Sequence, residues 1–474
     1  MSFSEKLRDQ EVVLFVACSC HKIILSISLG AIVSLSVVLI RAQVDCLLVQ
    51  VLRLNSFRIW IWLEYFYVVV LLGLLTQGPV LKIWEASGSV NSEIIGTTKF
   101  STYLLIQVPA IVLLFRRGIP KALLRGPVGV LLGFCGWMFM STFWSTFSSY
   151  SLVESFTLTV TCLAGLYLAT SFTLLQQLTL FLVAMQPGLI VSWYAVRNSW
   201  SGAVNFDENY WIGIYFNRNS LAPPAALGLL AALALAWVLF VRRPKYWSVI
   251  LFFLVDAIIL NFGLLVRSKS STSLGAIAVF VFVWGFWTMI RWFHRKQLFS
   301  TDQISQLIYP SFLFILILLT WLSFYFQNLL SRLLGGNFDF GGRITLWKFS
   351  WDGFLDKPIF GWGWFSAWNT PNFFHEREYW WALTSIKWSH SGVMDVLLGG
   401  GVIGAGLLVS AILWSGARQL NRVFTQTAGQ WTFAATWFVI AASTQEGFIV
   451  GNHFLWLLLV AAMAGSKDEI VSAK

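Results

Sequence analysis

The chain has 474 residues, of which 57% are hydrophobic and only 11% charged. That balance excludes a soluble globular domain, because apolar runs of about 18 or more residues recur along the chain and each can cross a bilayer as a helix. The net charge of +11 would suit nucleic acid in a soluble chain, but here many Lys and Arg residues cluster in short loops between apolar segments, the pattern that orients a membrane protein.

In chain order, the apolar stretch after Lys6 and Arg8 runs on to Ile40 with no small-residue cleavage pattern, so the first hydrophobic segments are expected to stay in the mature protein. All five cysteines (Cys18, Cys20, Cys46, Cys135, Cys162) lie in or beside apolar stretches without paired metal-ligand spacing and read as small hydrophobes. Candidate spans fall near 12–40, 59–77, 102–115, 124–144, 152–170, 173–195, 221–240, 246–266, 273–291, 308–327, 393–416, 431–444 and 450–464. Some are short, which gives about 11–13 spans in an all-α polytopic bundle. The expected organisation is an N-terminal transmembrane bundle (1–327), an extracytoplasmic loop domain with amphipathic helices (328–391) and C-terminal transmembrane helices (392–474).

Four short loops are basic: Arg116, Arg117, Lys121 and Arg125; Arg242, Arg243 and Lys245; Arg291, His294, Arg295 and Lys296; Arg418 and Arg422. Each is separated from the next by an even number of spans, so all four can face the cytoplasm together. The same count puts Lys6 and Arg8 outside, against their preference, so one early segment is expected to be interfacial or re-entrant. The other face then receives 196–220, 267–272, 328–391 and 445–449. Within it, "RSKSST" sets Arg267 and Lys269 against the orientation rule, either as charges that a short loop tolerates or as cations facing an anion at the outer surface. In "FNRNSLAPP", Asn219 or Ser220 is expected to cap the next helix, with Pro223 and Pro224 in its first turn. Arg218 then sits at a helix N-terminus that already favours anions; the plainer reading is an interfacial arginine.

The stretch "FGGRITLWKFSWDGFLDKPIFGWGWFSAW" is polar and rich in tryptophan. Ile344, Trp347, Trp351 and Phe354 recur at helical spacing after Arg343, which predicts an amphipathic helix in the outer interface, ended by Lys357-Pro358 and followed by a turn at Gly361-Trp362-Gly363. Tryptophan suits this depth as an anchor, and its ring can also stack on a sugar. His390, just before a glycine-rich span, can exchange a proton near neutral pH or hold structure by hydrogen bonds; His375 and His453 are further candidates. Glu446, a carboxylate at or in the membrane, is either functional or the partner of a cation. Asp256 and Asn261 lie within a span and are expected to find polar partners in the bundle.

These residues carry a resemblance. The run Arg343, Trp347, Pro358, Gly361 and Gly363 is similar to the core of the O-antigen ligase/polymerase superfamily. So is "SHSGVMDVLLGGGVIG", with His390, Ser391, Gly401 and Gly404. "FNRNSLA" and "VRSKSSTSLGAI" resemble two further family elements, and "STQEGF" is compatible with the family's last spans. The likeness runs over roughly residues 130 to 464. The family often has a Glu nine residues after the His, where this chain has Gly399. The family's Ser-Arg element corresponds to either Arg267 or Lys269.

The resemblance implies a fold similar to the GT-C type of membrane glycosyltransferase. It also implies a multi-pass protein of the bacterial cytoplasmic membrane with its active face outside, acting on a polyprenyl-diphosphate-linked glycan. The acceptor would be another glycan or lipid A core; the partners include membrane lipids and no nucleic acid. A departing diphosphate needs positive charge, and no Asp-x-Asp motif or His/Cys cluster reads as a metal site, so no metal or cofactor is expected. Arg218 is the first candidate for the diphosphate, with Arg343, Arg267 and Lys269 in support, His390 for the base, and Glu446 and Trp347 for support. Single displacement would invert the anomeric centre. Both polymerase and ligase stay open, the form "HSGVMDVLL" being nearer to polymerases. A rival reading is a transporter of small anions or lipid-linked sugars, which would place charges and inverted repeats near the midplane.

Overall fold

The computed structural model describes residues 59–80, 92–300, 303–312, 343–370, 388–425 and 427–467. The span expected at 12–40, most of that at 308–327, and His375 lie outside the described residues. The chain divides into two compact units, Met1–Tyr67 and Val68–Lys474. An apolar helix covers Ile59–Leu75.

The second unit contains α1 (Ser92–Arg117), α2 (Pro127–Met140), α3 (Ser148–Ser171), α4 (Leu174–Arg197), α5 (Arg218–Arg242), α6 (Trp247–Ser268), α7 (Ser271–Arg295), α8 (Arg343–Asp356), α9 (Gly392–Thr425), α10 (Thr427–Gln445) and α11 (Phe454–Ala464). Among the described residues, six helices are long and apolar enough to cross a membrane: α3, α4, α5, α6, α7 and the Gly392–Gln419 part of α9. The two described strands, β1 (Val204–Asn205) and β2 (Tyr210–Trp211), form a short antiparallel hairpin. The protein is an all-α polytopic membrane bundle.

Local chemistry sets the helix starts. Thr173 begins α4 with a capping box: its hydroxyl accepts from Gln176 N–H at 3.3 Å and its own N–H donates to Gln176 Oε1 at 2.9 Å. The cap of α5 is Asn217, not Asn219 or Ser220 as expected; its Oδ1 accepts from Ser220 N–H at 2.9 Å. The cap falls earlier because the side chain of Asn219 is committed elsewhere, to Glu446 and Ser270. Pro223 and Pro224 consequently lie inside the helix rather than in its first turn. Having no N–H, they leave the carbonyls of Asn219 and Ser220 without their usual helical donors.

Successive spans run up and down. Helix α5 packs on α4 and α6, α7 on α10, α9 on α2 and α10, and α11 on α3. As α5, α7 and α9 each run toward basic residues (Arg242, Arg295, Arg418), those loops share one end of the bundle. Arg418 Nη1 donates to Ala122 O at 3.5 Å, tying two of the four loops together. In α6 the buried residues Leu254, Ala257, Asn261, Leu264, Leu265 and Ser268 form one stripe at helical spacing. Asn261 finds partners there, donating to Gln186 Oε1 at 3.3 Å and Ala257 O at 2.5 Å. Asp256 does not share that inward position: it falls off the stripe and is exposed beside Val255 and Ile259.

The amphipathic helix and the turn after it form at the expected places, with a different inner face. Leu346, Trp347, Phe349, Ser350 and Phe354 of α8 are buried, whereas Trp351 is 45% exposed at the edge of that arc. Leu346, Phe349 and Phe354 form a core with Trp362, Ala367, Trp368 and Leu398 of α9. Helix α9 itself is broken at Gly401, whose φ of 63° and ψ of −163° no helix contains. A broken ladder inside a membrane strands backbone polar groups that lipid cannot satisfy. Here the 358–363 loop supplies partners: Trp362 N–H donates to Leu398 O at 2.7 Å, Gly363 N–H to Gly399 O at 3.1 Å, and Val402 N–H to Pro358 O at 2.8 Å. Trp137 Nε1 takes the carbonyl of Gly400 at 2.8 Å. Gly361, at φ +72°, comes so close that a Cβ would stand 2.6 Å from Leu398 O. The Pro-x-x-Gly-x-Gly element is therefore a backbone plug for a broken span.

Candidate functional site

At the end of the bundle opposite the basic loops, the start of α5, the α6–α7 junction, the start of α8, residues 388–391 and the 445–449 loop come together. Their hub is Glu446, just past α10 and 6% exposed. Its Oε1 accepts from Asn219 Nδ2 at 2.7 Å and pairs with Arg343 Nη2. Its Oε2 lies 2.9 Å from His390 Nδ1, and its backbone carbonyl accepts from Gly392 N–H at 3.2 Å. Ser270, the N-cap of α7, donates its hydroxyl to Asn219 Oδ1 at 2.8 Å. One buried carboxylate thus ties α5, α7, α8 and α9 together, with charge-assisted bonds on both oxygens.

His390 sits in the left-handed region at φ +51°, which a non-glycine residue holds only when its surroundings impose it. Those surroundings are visible on either side of it. Ser389 donates its N–H and hydroxyl to Asp395 Oδ1 at 2.9 and 2.7 Å, and its carbonyl accepts from Trp347 Nε1 at 3.1 Å. Trp347 therefore acts on the His390 turn through a hydrogen bond. Trp388 Nε1 lies 3.2 Å from His390 Nδ1. With Nδ1 facing the hub, Nε2 is the ring nitrogen left for a substrate, and the side chain is 27% exposed.

The other three predicted cations gather on the β1–β2 hairpin instead. Arg218, first residue of α5, pairs with Glu208 Oε2 at 3.3 Å and lies 4.7 Å over the Tyr210 ring. Lys269 Nζ donates to the Glu208 carbonyl at 3.3 Å, and Arg267 lies 5.6 Å over the Trp211 ring. Arg218 adjoins Asn219 and Lys269 adjoins Ser270, so this cationic cluster borders the Glu446 hub directly.

His453 plays a different part from the one expected of an outer histidine. It caps α11, its Nδ1 accepting from Leu455 N–H at 3.2 Å, and stacks between Phe448 and Phe454 at 4.9 Å each. Sequence reasoning missed Asp395, Ser389, Asn219 as a bridging side chain, and Glu208. A signal existed for Asp395: an acid in the first turn of an otherwise apolar span is placed where a helix N-terminus favours it.

Residues 257–409 match the family model described as O-antigen ligase. The matched segment holds Arg267, Lys269, Arg343, Trp347, His390 and Asp395, and it ends before Glu446 and begins after Arg218. No curated protein matches the sequence.

Proposed function

We propose that this chain, which by that match belongs to the O-antigen ligase/polymerase superfamily, moves a glycan from a polyprenyl-diphosphate carrier to an acceptor hydroxyl. The reaction is placed at the outer surface of the bacterial cytoplasmic membrane. One observation carries the reading: a histidine and four cations, drawn from segments up to 172 residues apart, meet at the single end of the bundle that lacks the basic orientation loops. In this reading the acceptor oxygen attacks the anomeric carbon as its proton passes to His390 Nε2. The bond from that carbon to the diphosphate oxygen breaks, and the electron pair leaves with the diphosphate. Arg218, Arg267, Lys269 and Arg343 meet the developing charge as fixed donors, without a metal. Attack opposite the leaving group inverts the anomeric centre. The polar stretch from Arg343 to Trp368 serves as the outer lid over the lipid-linked sugar.

The test is incubation of purified protein with polyprenyl-diphosphate-linked glycan from its own host, with all host acceptors supplied and products resolved by gel and mass spectrometry. Arg218→Ala is the control and EDTA a separate arm. A ladder of longer lipid-linked chains identifies a polymerase, and glycan moved to a different acceptor identifies a ligase. Activity is expected to persist in EDTA and to be lost in Arg218→Ala. No Arg218-dependent product from an otherwise monodisperse protein would overturn transfer in favour of transport.

A further inference from the structure

We infer that Glu446 is a positioning residue for the base: it takes the Nδ1–H of His390 and so fixes the ring in the one tautomer whose Nε2 can accept a proton. The inference rests on the transfer reading above and concerns a residue outside the family-matched segment.

The geometry forces the choice at Nδ1. Two groups compete for that atom, the Trp388 N–H at 3.2 Å and the Glu446 carboxylate at 2.9 Å. The indole can only donate and the carboxylate can only accept, so Nδ1 cannot serve both. A bare Nδ1 would accept from Trp388 and set its lone pair against a carboxylate oxygen at 2.9 Å. A protonated Nδ1 makes the shorter, charge-assisted bond to Glu446, roughly twice as strong as a neutral one. Trp388 then stands as a ring neighbour, its centroid 5.2 Å from that of His390.

Burial of Glu446 adds to this. A carboxylate 6% exposed needs compensation, and Arg343 and Asn219 both bind its Oε1, which holds Oε2 toward the ring. The backbone is fixed by the same residue, since Gly392 N–H donates to the Glu446 carbonyl two residues after His390. Glu446 thus holds the histidine turn by main chain and side chain together. When the acceptor O–H bond breaks and Nε2 takes the proton, the imidazolium forms against a carboxylate already in contact. No rearrangement is needed at that moment, the logic by which an acid orients the histidine of a nucleophilic triad.

Two measurements test this, one of them independent of activity. Solid-state NMR of protein labelled with ¹⁵N-histidine, with His390 assigned by difference from His390→Ala, should show the neutral ring protonated at Nδ1. Glu446→Gln should then give a mixture of tautomers. A wild-type ring protonated at Nε2 overturns the inference whatever the protein's activity. With the lipid-linked donor of its host, Glu446→Gln should lower kcat by at least about tenfold, part of the 10²–10⁴ that a placed base supplies, with donor KM changed less than about threefold. Glu446→Asp should recover part of that loss. In a His390→Ala background, Glu446→Gln should cost nothing further; an undiminished cost there, or wild-type kcat in Glu446→Gln, refutes action through His390. If wild-type protein shows the Nδ1–H tautomer but transfers no glycan, the transfer reading fails while the hydrogen-bond assignment stands.

Discussion

Replacing Gly361 by alanine tests whether the 358–363 loop is a structural plug for α9. At φ +72° an alanine costs about 1–2 kcal/mol relative to an ordinary conformation. Its Cβ would also meet Leu398 O at 2.6 Å and Gly399 C and Gly401 N at 2.7 Å each. All three are backbone atoms, so no rotamer change relieves the contact and the loop must withdraw. Withdrawal gives up the bonds from Trp362 N–H to Leu398 O, from Gly363 N–H to Gly399 O and from Val402 N–H to Pro358 O. At about 0.5–1.5 kcal/mol net each, these add roughly 1.5–4.5 kcal/mol, so the substitution should cost about 3–6 kcal/mol in all. The control is Gly406→Ala in the same helix, where a Cβ meets nothing within 4 Å. Gly361→Ala should lower the melting temperature of purified protein, followed by tryptophan fluorescence, and reduce glycan transfer at least tenfold, because Leu398 lies in the first segment of α9, which follows directly from the His390 turn. Gly406→Ala should do neither. Equal behaviour of the two variants in both assays would refute the plug.

Two further outcomes follow from the site. Glu208→Gln removes the carboxylate that holds Arg218 at 3.3 Å. The two side chains are 39% and 63% exposed, so the gain is that of a surface pair: the donor KM should fall by up to about fivefold at low salt and return to the wild-type value at high salt. A higher KM would mean that Glu208 supports the donor site rather than competing for its cation. Asp395→Ala leaves the Ser389 N–H without its acceptor, while the Ser389 hydroxyl keeps the Ser391 carbonyl at 2.7 Å, and it loosens the turn that holds His390 at φ +51°. That one lost hydrogen bond to a carboxylate should cost about 1.5–3 kcal/mol, read as a lower melting temperature with a fall in kcat. Normal kcat in a destabilised protein would confine Asp395 to a structural part.

Much of the fold was legible because hydropathy and helix length report the same physical requirement. The span expected at 246–266 forms as Trp247–Ser268, and that at 152–170 as Ser148–Ser171. Parity of the basic loops was enough to put Arg218, Lys269, Arg343, His390 and Glu446 at one end, where the structure places them. Phase was harder to read than extent. Asp256 and Asn261 lie in one helix and look alike as polar residues in an apolar run, yet only Asn261 falls on the buried stripe. The cap of α5 was ambiguous for a similar reason: "FNRNS" offers three capping residues in a row of four, and Glu446, 227 residues away, decides which one is free to cap. The gathering of Arg218, Arg267 and Lys269 depends on contacts with a hairpin of two-residue strands, too short for any periodic signal.

The polar, glycine-rich stretch around 340–368 answers a need created by α9. A continuous helix from Gly392 would satisfy its own backbone and require nothing from its neighbours. Breaking it at Gly401 separates a short first segment, which carries Asp395 and the His390 turn, from the longer part that runs on to Arg418. The break strands carbonyls at Leu398, Gly399 and Gly400 inside an apolar environment, and only protein can reach them there. A side chain reaches one of them, from Trp137, but two adjacent ones need backbone N–H groups delivered side by side. Gly361, at φ +72°, lets the loop come that close because a Cβ there would meet the backbone of Leu398, Gly399 and Gly401, and Gly363, at φ +95°, passes Ser145 where a Cβ would stand 2.6 Å from its side chain. The same loop follows directly from α8, whose first residue is Arg343. The segment that repairs the broken span therefore also sets the cation that holds Glu446, so repair of the membrane helix and placement of the charged hub are one structural requirement.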